Sequence, residues 1–423
     1  MLSAGSVRSK NAQNILLCTV LDLCTCALAW YFTGYGFAFG TDNGNGFIGT
    51  DQFVGFDVGP NGIHTFGHWW FEFTFAATSA TIVAGAVAER ANFKSYMLYS
   101  FVASAWVYPV IVHWVWGGGF LTMGNPQAVM GLGSLDFAGD GPVHMIGGVS
   151  AMICAKLIGP RIGRYDEDGK PVPIPGHNSA LVNIGTFILW FGWFGFNPGS
   201  IINVAGGGSD VAGRCAVNTM LASAGATVSS LFFAYAYRAK VDGHRVFDFG
   251  VAMNGALAGL VGITGPCAGV EMWAAICIGV VAGVVYVLAS DVVLYVLKID
   301  DPLDAVAVHF FCGVWGLLAG GIFANPAMIS VLSAGLSNGR GGFIYPGAGG
   351  DLILCQLVEI ACILGFVGGC MTPIFVGLHS VGALRISAPE EEEGLDSSVH
   401  GGSAQPELYK SAFYNAKMAT ADA

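Results

Sequence analysis

Charge is what this chain has least of. Of its 423 residues only 11% are Asp, Glu, Lys or Arg, against roughly 25% in an ordinary soluble domain. The basic residues are few and scattered and the formal charge is −11, which gives a nucleic acid nothing to bind and makes none an expected partner. No Cys-x-x-Cys pair occurs among the eleven cysteines. Almost all of them lie inside apolar runs, so they read as small buried fillers rather than as a disulfide framework or metal ligands. His-Glu-x-x-His is absent, and His64, His68, His113, His177, His244, His379 and His400 form no metal set, so an intramembrane metalloprotease is unsupported. No enzyme, cofactor or metal is expected. A cleavable signal peptide is missing too: Arg8 and Lys10 precede an apolar stretch, but it is full length and no small-residue cleavage site follows.

What is abundant is apolar. These residues make up 54% of the chain, glycine numbers 63, and the mean hydropathy is +0.62. That much glycine, about twice its usual share, is expected where membrane helices pack through small residues. The expected fold class is all-α, a polytopic membrane bundle in a lipid bilayer. A span needs about 20 apolar residues, and ten stretches qualify: 14–39, 66–88, 95–116, 142–159, 179–199, 214–237, 248–264, 272–297, 303–324 and 352–384. With the N-terminus inside, all Lys and Arg except Arg214 and Arg340 fall in inside segments, as the positive-inside rule requires. Both termini are therefore expected in the cytoplasm. The loops 40–65 and 325–351, rich in Gly, Asn, Asp and Pro, read as turns over the outer mouth. Residues 1–385 form the transmembrane domain. Residues 386–423, with the acidic run Glu390–Glu393, form a cytoplasmic tail, flexible unless docked.

Two histidines lie within these spans. His144 follows Asp136 by eight residues and His309 follows Asp301 by eight, and an ionisable group in a bilayer is costly enough to be a functional candidate. The first span runs inward and the second outward. Eight helical residues cover roughly 12 Å, so both rings approach the middle of a core about 30 Å thick from opposite faces. Antiparallel counterparts meeting at the midplane are characteristic of inverted-repeat transporters. The plainer alternative is two unrelated histidines, each bonded to a backbone carbonyl. A neutral pair suits a small polar guest, because a proton shared between the rings leaves an outer nitrogen free. Imidazole also exchanges protons near neutral pH.

Aromatic residues form a second constellation. Phe71 and Phe75 share a helix face at a spacing of four, Trp116 closes the third span on the outside, and Trp193 and Phe196 sit in Trp190-Phe-Gly-Trp-Phe-Gly-Phe196-Asn-Pro-Gly-Ser200. Aromatic faces attract cations, although an interfacial belt would use the same residues. Asp22, Glu72, Asp291 and Glu359 are expected to pair with polar groups between helices, and Glu89-Arg90 to cap or bridge on the inside.

In its ordered motifs the chain resembles the ammonium transporter (Amt/Mep/Rh) family over roughly residues 1–402. The motifs are Ala4-Gly-Ser-Val-Arg8-Ser-Lys10-Asn, Gly85-Ala-Val-Ala-Glu89-Arg90, Trp116-Gly-Gly-Gly, Asp136-Phe-Ala-Gly, Phe194-Gly-Phe-Asn-Pro-Gly-Ser200, and Asp300-Asp-Pro-Leu-Asp304 followed by His309. Gly159-Pro-Arg-Ile-Gly-Arg-Tyr165 is most similar to plant- and alga-type members. The resemblance implies roles: His144 and His309 as twin pore histidines, Phe75 and Phe196 as a stacked phenyl gate, and Trp193 as a pore-lining ring. Phe71, Trp116 and Ser200 would form an outer ammonium-recruitment site, supported by the buried carboxylate of Asp136.

The implied activity is ammonium transport at the plasma membrane. The cation is recruited outside and ammonia is conducted past the histidines, with or without a separately relayed proton. Alternatives are an ammonium sensor with little flux and a passive gas channel of the Rh kind, and Trp116 and Ser200 favour transport over the latter. Family members have eleven spans, whereas this chain begins at the motif that follows the first, so ten spans are expected here. A shortened gene product or alternative start would account for this, as would a ten-span variant. The helix that is not seen packs at the interface of the homotrimer the family implies. Ser398 stands where plant-type members carry a phosphorylatable threonine before His-Gly-Gly, a candidate regulatory position.

Overall fold

Helix length measured against bilayer thickness accounts for most of the architecture. The computed structural model describes residues 1–59, 65–241, 243, 245–402 and 404; His64, His244, Lys410 and Lys417 lie outside the described residues. Each of the ten expected stretches holds a helical run. These are α1 (Ser9–Phe39), α2 (Phe66–Ala86), α3 (Phe93–Val115), α4 (Asp140–Ile158), α5 (Ser179–Gly199), α6 (Gly208–Val241), α7 (Phe249–Thr264), α8 (Met272–Val296), α9 (Val306–Phe323) and α10 (Asp351–Ser380). By length and composition eight of them can cross a membrane; α2 and α7 fall outside that set. Although α2 has 21 residues, it carries His68 and Glu72 among its apolar positions. With 16 residues, α7 covers about 24 Å, short of a bilayer core.

The shortfall of α7 is made up by buried, non-helical backbone. Such backbone is tolerated at depth only where its polar groups find partners, and here they do. The Gly265 carbonyl accepts from Phe137 N at 2.8 Å, and Asn218 Nδ2 donates to the carbonyls of Cys267 at 2.9 Å and Val270 at 2.8 Å. Helix starts are set by ordinary caps: Thr65, Asn178 and Asp248 each accept a backbone N–H from the first turns of α2, α5 and α7. Helices α6, α7 and α8 approach through small residues; at Gly279 a side chain would strike the backbone of Ala222. The outward surface is apolar, with Leu23, Leu28, Phe187, Ile188 and Phe191 all exposed, as expected of a face that meets lipid.

One end of the bundle gathers the basic residues. Arg161 donates to Asp300 through Nε at 2.8 Å and Nη2 at 3.0 Å. Arg164 pairs with the same carboxylate at 3.1 Å, Arg8 with Glu89 at 2.6 Å, and Arg90 donates to the carbonyls of Asp300 and Gly159. Because Arg161 follows α4 and Asp300 precedes α9, these two helices run antiparallel. The tail docks at this same end. Asp396 accepts from the backbone N–H groups of Gln13 (3.0 Å) and Asn14 (2.8 Å) at the start of α1. Glu391 bridges Arg385 at 2.7 Å and the N–H of Ile162 at 2.7 Å. The portion of the tail up to residue 402 is thus the docked form of the segment the sequence leaves open.

Candidate functional site

The two aspartates that precede the histidines turn out to be helix caps. Asp136 Oδ1 accepts from Gly139 N (2.9 Å) and Asp140 N (2.7 Å), and Oδ2 accepts from Gly141 N (2.7 Å). Asp301 Oδ2 accepts from Val306 N at 2.7 Å. A carboxylate that takes up the orphan N–H groups of a first turn stabilises it by hydrogen bond and by the helix dipole. Each cap is followed by a left-handed residue, Gly139 (φ 100°) or Asp304 (φ 57°). Each helix then opens with a wide π-helical turn, Asp140–Met145 or Val306–Phe311, a geometry common at functional positions. His144 sits in one turn and His309 in the other, so the construction repeats with opposite direction.

The wide turns bring the imidazoles together. Nδ1 of His144 lies 3.1 Å from Nδ1 of His309, and the rings are near-parallel with centroids 5.2 Å apart. Two Nδ1 atoms at this distance share one hydrogen, so one Nε2 is a donor and the other an acceptor. Among the described residues Nε2 of His144 is buried without a partner, which leaves it open to a small guest. The close approach depends on Gly148, four residues after His144, where any Cβ would strike the backbone of Phe310. Trp193 lies flat against His144 at 5.5 Å and 12°, held by its Nε1 donating to Thr264 Oγ1 at 3.0 Å.

Above the histidines, toward the end remote from the basic cluster, Phe196 stacks on His144 at 5.8 Å. Phe75 meets Phe196 with ring centroids 4.1 Å apart, a contact that leaves no room for water. Beyond Phe75 the path widens into a cavity of about 410 Å³ lined by Phe71, Phe75, Trp116, Asp136 and Ser200, among others. Phe71 lies 4.8 Å from Phe75, and Trp116 stands edge-on to Phe75 at 5.8 Å. Trp116 is fixed by Nε1 donating to the Asp136 carbonyl at 2.8 Å. Ser200 Oγ donates to the Phe196 carbonyl at 2.9 Å, which turns its lone pairs to the cavity. On the other side, His309 and Trp193 line a second cavity of about 310 Å³ shared with the N-terminal residues Met1–Ala4.

Every expected pore and recruitment residue therefore lies along one path, whereas Ser398 is far from it. At the basic end, Ser398 Oγ donates to the Gly394 carbonyl at 2.9 Å. Two of the four intramembrane acids depart from expectation. Glu359 stands near another acid, Asp136, and neither of its buried carboxylate oxygens has a hydrogen-bond partner among the described residues. Among the described residues Glu72 Oε2 is buried with no hydrogen-bond partner, and the residue lines the larger cavity. Thr264 and Gly148 carry no signal in the sequence, because their importance lies in what stands opposite them. Glu72 does carry one, an acid adjacent to Phe71 in an apolar run.

Comparisons with known proteins place the family and the fold. The sequence profile described as Ammonium Transporter Family matches residues 1–405. Ammonium transporter 1 member 2 of Arabidopsis thaliana is 40% identical over 418 residues, covering 95% of this chain and 79% of that protein. Ammonium transporter 1 member 1 of Oryza sativa subsp. japonica is 41% identical over 417 residues, covering 96% and 81%. Among solved structures, a protein named Sensor Amt Protein superposes with a TM-score of 0.83 at 35% identity, covering 94% of this chain and 92% of that one. Mep2 of Saccharomyces cerevisiae superposes with a TM-score of 0.78 at 29% identity, covering 94% and 87%.

Proposed function

This chain belongs to the ammonium transporter family, and from that premise we propose that it moves ammonium across the membrane as ammonia, along the path through Phe75, Phe196, His144 and His309. The observation that carries the proposal is the histidine pair, 3.1 Å between Nδ1 atoms, beneath a closed phenyl contact. An intact cation entering that dry passage would meet the penalty on intramembrane charge, at least about 3 kcal/mol. Ammonia meets no such penalty and finds one donor and one acceptor at the imidazoles. The cation waits in the larger cavity against the faces of Phe71 and Trp116, a contact worth about 0.5–2 kcal/mol, with Ser200 Oγ accepting one of its N–H groups. Asp136 fixes the wall of this site by holding the α4 turn and, through its carbonyl, Trp116.

The excess of Lys and Arg at one end makes that end cytoplasmic, so the larger cavity faces outward and the tail lies inside. The membrane is the plasma membrane and the assembly a homotrimer, as the family resemblance implies. Ser398 is the regulatory position of the docked tail. The likeness to a protein named as a sensor supports one other reading, in which the site binds ammonium but passes little of it. Expression in a yeast strain lacking its own ammonium uptake separates the two. Growth on low ammonium is the expected outcome; a chain that reaches the membrane and leaves the strain unable to grow would favour the sensor.

A further inference from the structure

The larger cavity contains an acid that none of the roles above uses. Glu72 is 6% exposed, lies on α2 between the positions of Phe71 and Phe75, and lines the cavity with them. Its Oε2 is buried and has no hydrogen-bond partner among the described residues. Its Oε1 stands 3.9 Å from Nε2 of His68, one turn nearer the mouth, and Nδ1 of His68 is 2.9 Å from the hydroxyl of Tyr35. Among the described residues the other titratable groups around Glu72 are Tyr35 and Tyr108 on the helices alongside and Asp136 across the cavity. Asp136 already spends both carboxylate oxygens on three backbone N–H groups, so it is poorly placed to receive a proton. Glu72 lines the cavity and keeps a carboxylate oxygen unoccupied among the described residues.

We propose that Glu72 is the base that takes the proton from ammonium before ammonia enters the gate, and that His68 returns this proton to the outer solution. The inference rests on the transport reading above and names the group that performs its first chemical step. One N–H bond of ammonium breaks and its electron pair stays on nitrogen as the lone pair of ammonia; the proton forms an O–H bond with Glu72 Oε2. With His68 Nδ1–H donating to the Tyr35 oxygen, Nε2 is an acceptor. The protonated carboxyl turns to pass its proton across the 3.9 Å separation, directly or over one bridging water. The resulting imidazolium ring, with a side chain 16% exposed, gives the proton to water at the mouth and restores the starting state. Charge balances, with ammonium and carboxylate giving ammonia and carboxylic acid, and the acid being reset from outside.

The test is uptake of labelled ammonium by proteoliposomes as a function of external pH, for the wild type, Glu72→Gln and His144→Ala. Glutamine keeps the size and polarity of the side chain but cannot take the proton. Near pH 6 we expect Glu72→Gln to lose on the order of 100-fold in rate, the usual worth of a positioned base. The deficit should shrink to within about twofold near pH 9, where much of the substrate already arrives as ammonia. Wild-type rates for Glu72→Gln near pH 6 would overturn the proposal. So would a loss of the same factor at every pH, which is the mark of a packing defect. If Glu72→Gln alone transports normally, only the role of Glu72 fails. If His144→Ala also transports normally, the pore reading beneath it fails as well.

Discussion

Asp136 illustrates how a single residue can shape the candidate site through the backbone it holds. Its carboxylate gathers the N–H groups of Gly139, Asp140 and Gly141, and those bonds fix the turn that aims His144. In Asp136→Asn the carboxylate becomes an amide, which can accept with one oxygen only and presents its NH₂ to a donor. At least one charge-assisted bond is lost, about 1.5–3 kcal/mol. We expect the purified variant to melt several degrees lower and to transport slowly; melting and uptake equal to the wild type would refute this role. At this scale the sequence was informative where chemistry is rare. Two histidines, each eight residues after an aspartate, stand out in an apolar run, as do phenyl and tryptophan side chains beside Asn-Pro-Gly. It was uninformative where significance depends on an opposing atom. Thr264 matters because it holds Trp193, and Gly148 because Phe310 leaves no room beside it. Glu72 was noticed, but expected to have a polar partner, since sequence carries no distances.

At the scale of elements, the loop before α9 anchors the start of a functional helix to the end of its counterpart α4. Burial pushes the Asp300 carboxyl up, but the hydrogen bonds from Arg161 and the charge of Arg90 outweigh it and hold the group down at about 2. An unfolded aspartate titrates near 3.9, so the folded group has the lower value. Its stabilisation is complete above about pH 4 and is lost as pH falls from there toward 2, amounting to roughly 2–3 kcal/mol. Comparing thermal unfolding of wild type and Asp300→Asn across that range checks this. The wild type should lead clearly at neutral pH, lose about half of its advantage by about pH 3 and most of it by about pH 2; a pH-independent difference would contradict it. Ten helical runs were legible as apolar stretches, but the π-helical turns and the shortness of α7 were not. Both depend on backbone partners far off in sequence, such as Asn218 for the carbonyls of Cys267 and Val270.

For the whole molecule, the tail closes a circuit from the last span back to the first. Asp396 caps α1, Lys10 donates to the Glu391 carbonyl at 2.8 Å, and His400 Nε2 lies 2.8 Å from Asn14 Oδ1. Composition made residues 386–423 recognisable as a separate polar segment; that it docks was not legible, because its partners lie at the other end of the chain. Ser398→Asp removes the hydroxyl that donates to Gly394 and adds negative charge beside Asp396 and the Glu390–Glu393 run. We expect hydrogen exchange in 388–402 to rise and uptake to fall, and normal transport with normal protection would count against a regulatory role. The central claim concerns the conduit itself. Its most direct test is uptake of labelled ammonium by proteoliposomes holding His144→Ala or His309→Ala. The account predicts that each variant inserts in the membrane yet loses at least about tenfold in uptake, a barrier increase of about 1.4 kcal/mol; uptake unchanged in both would contradict it.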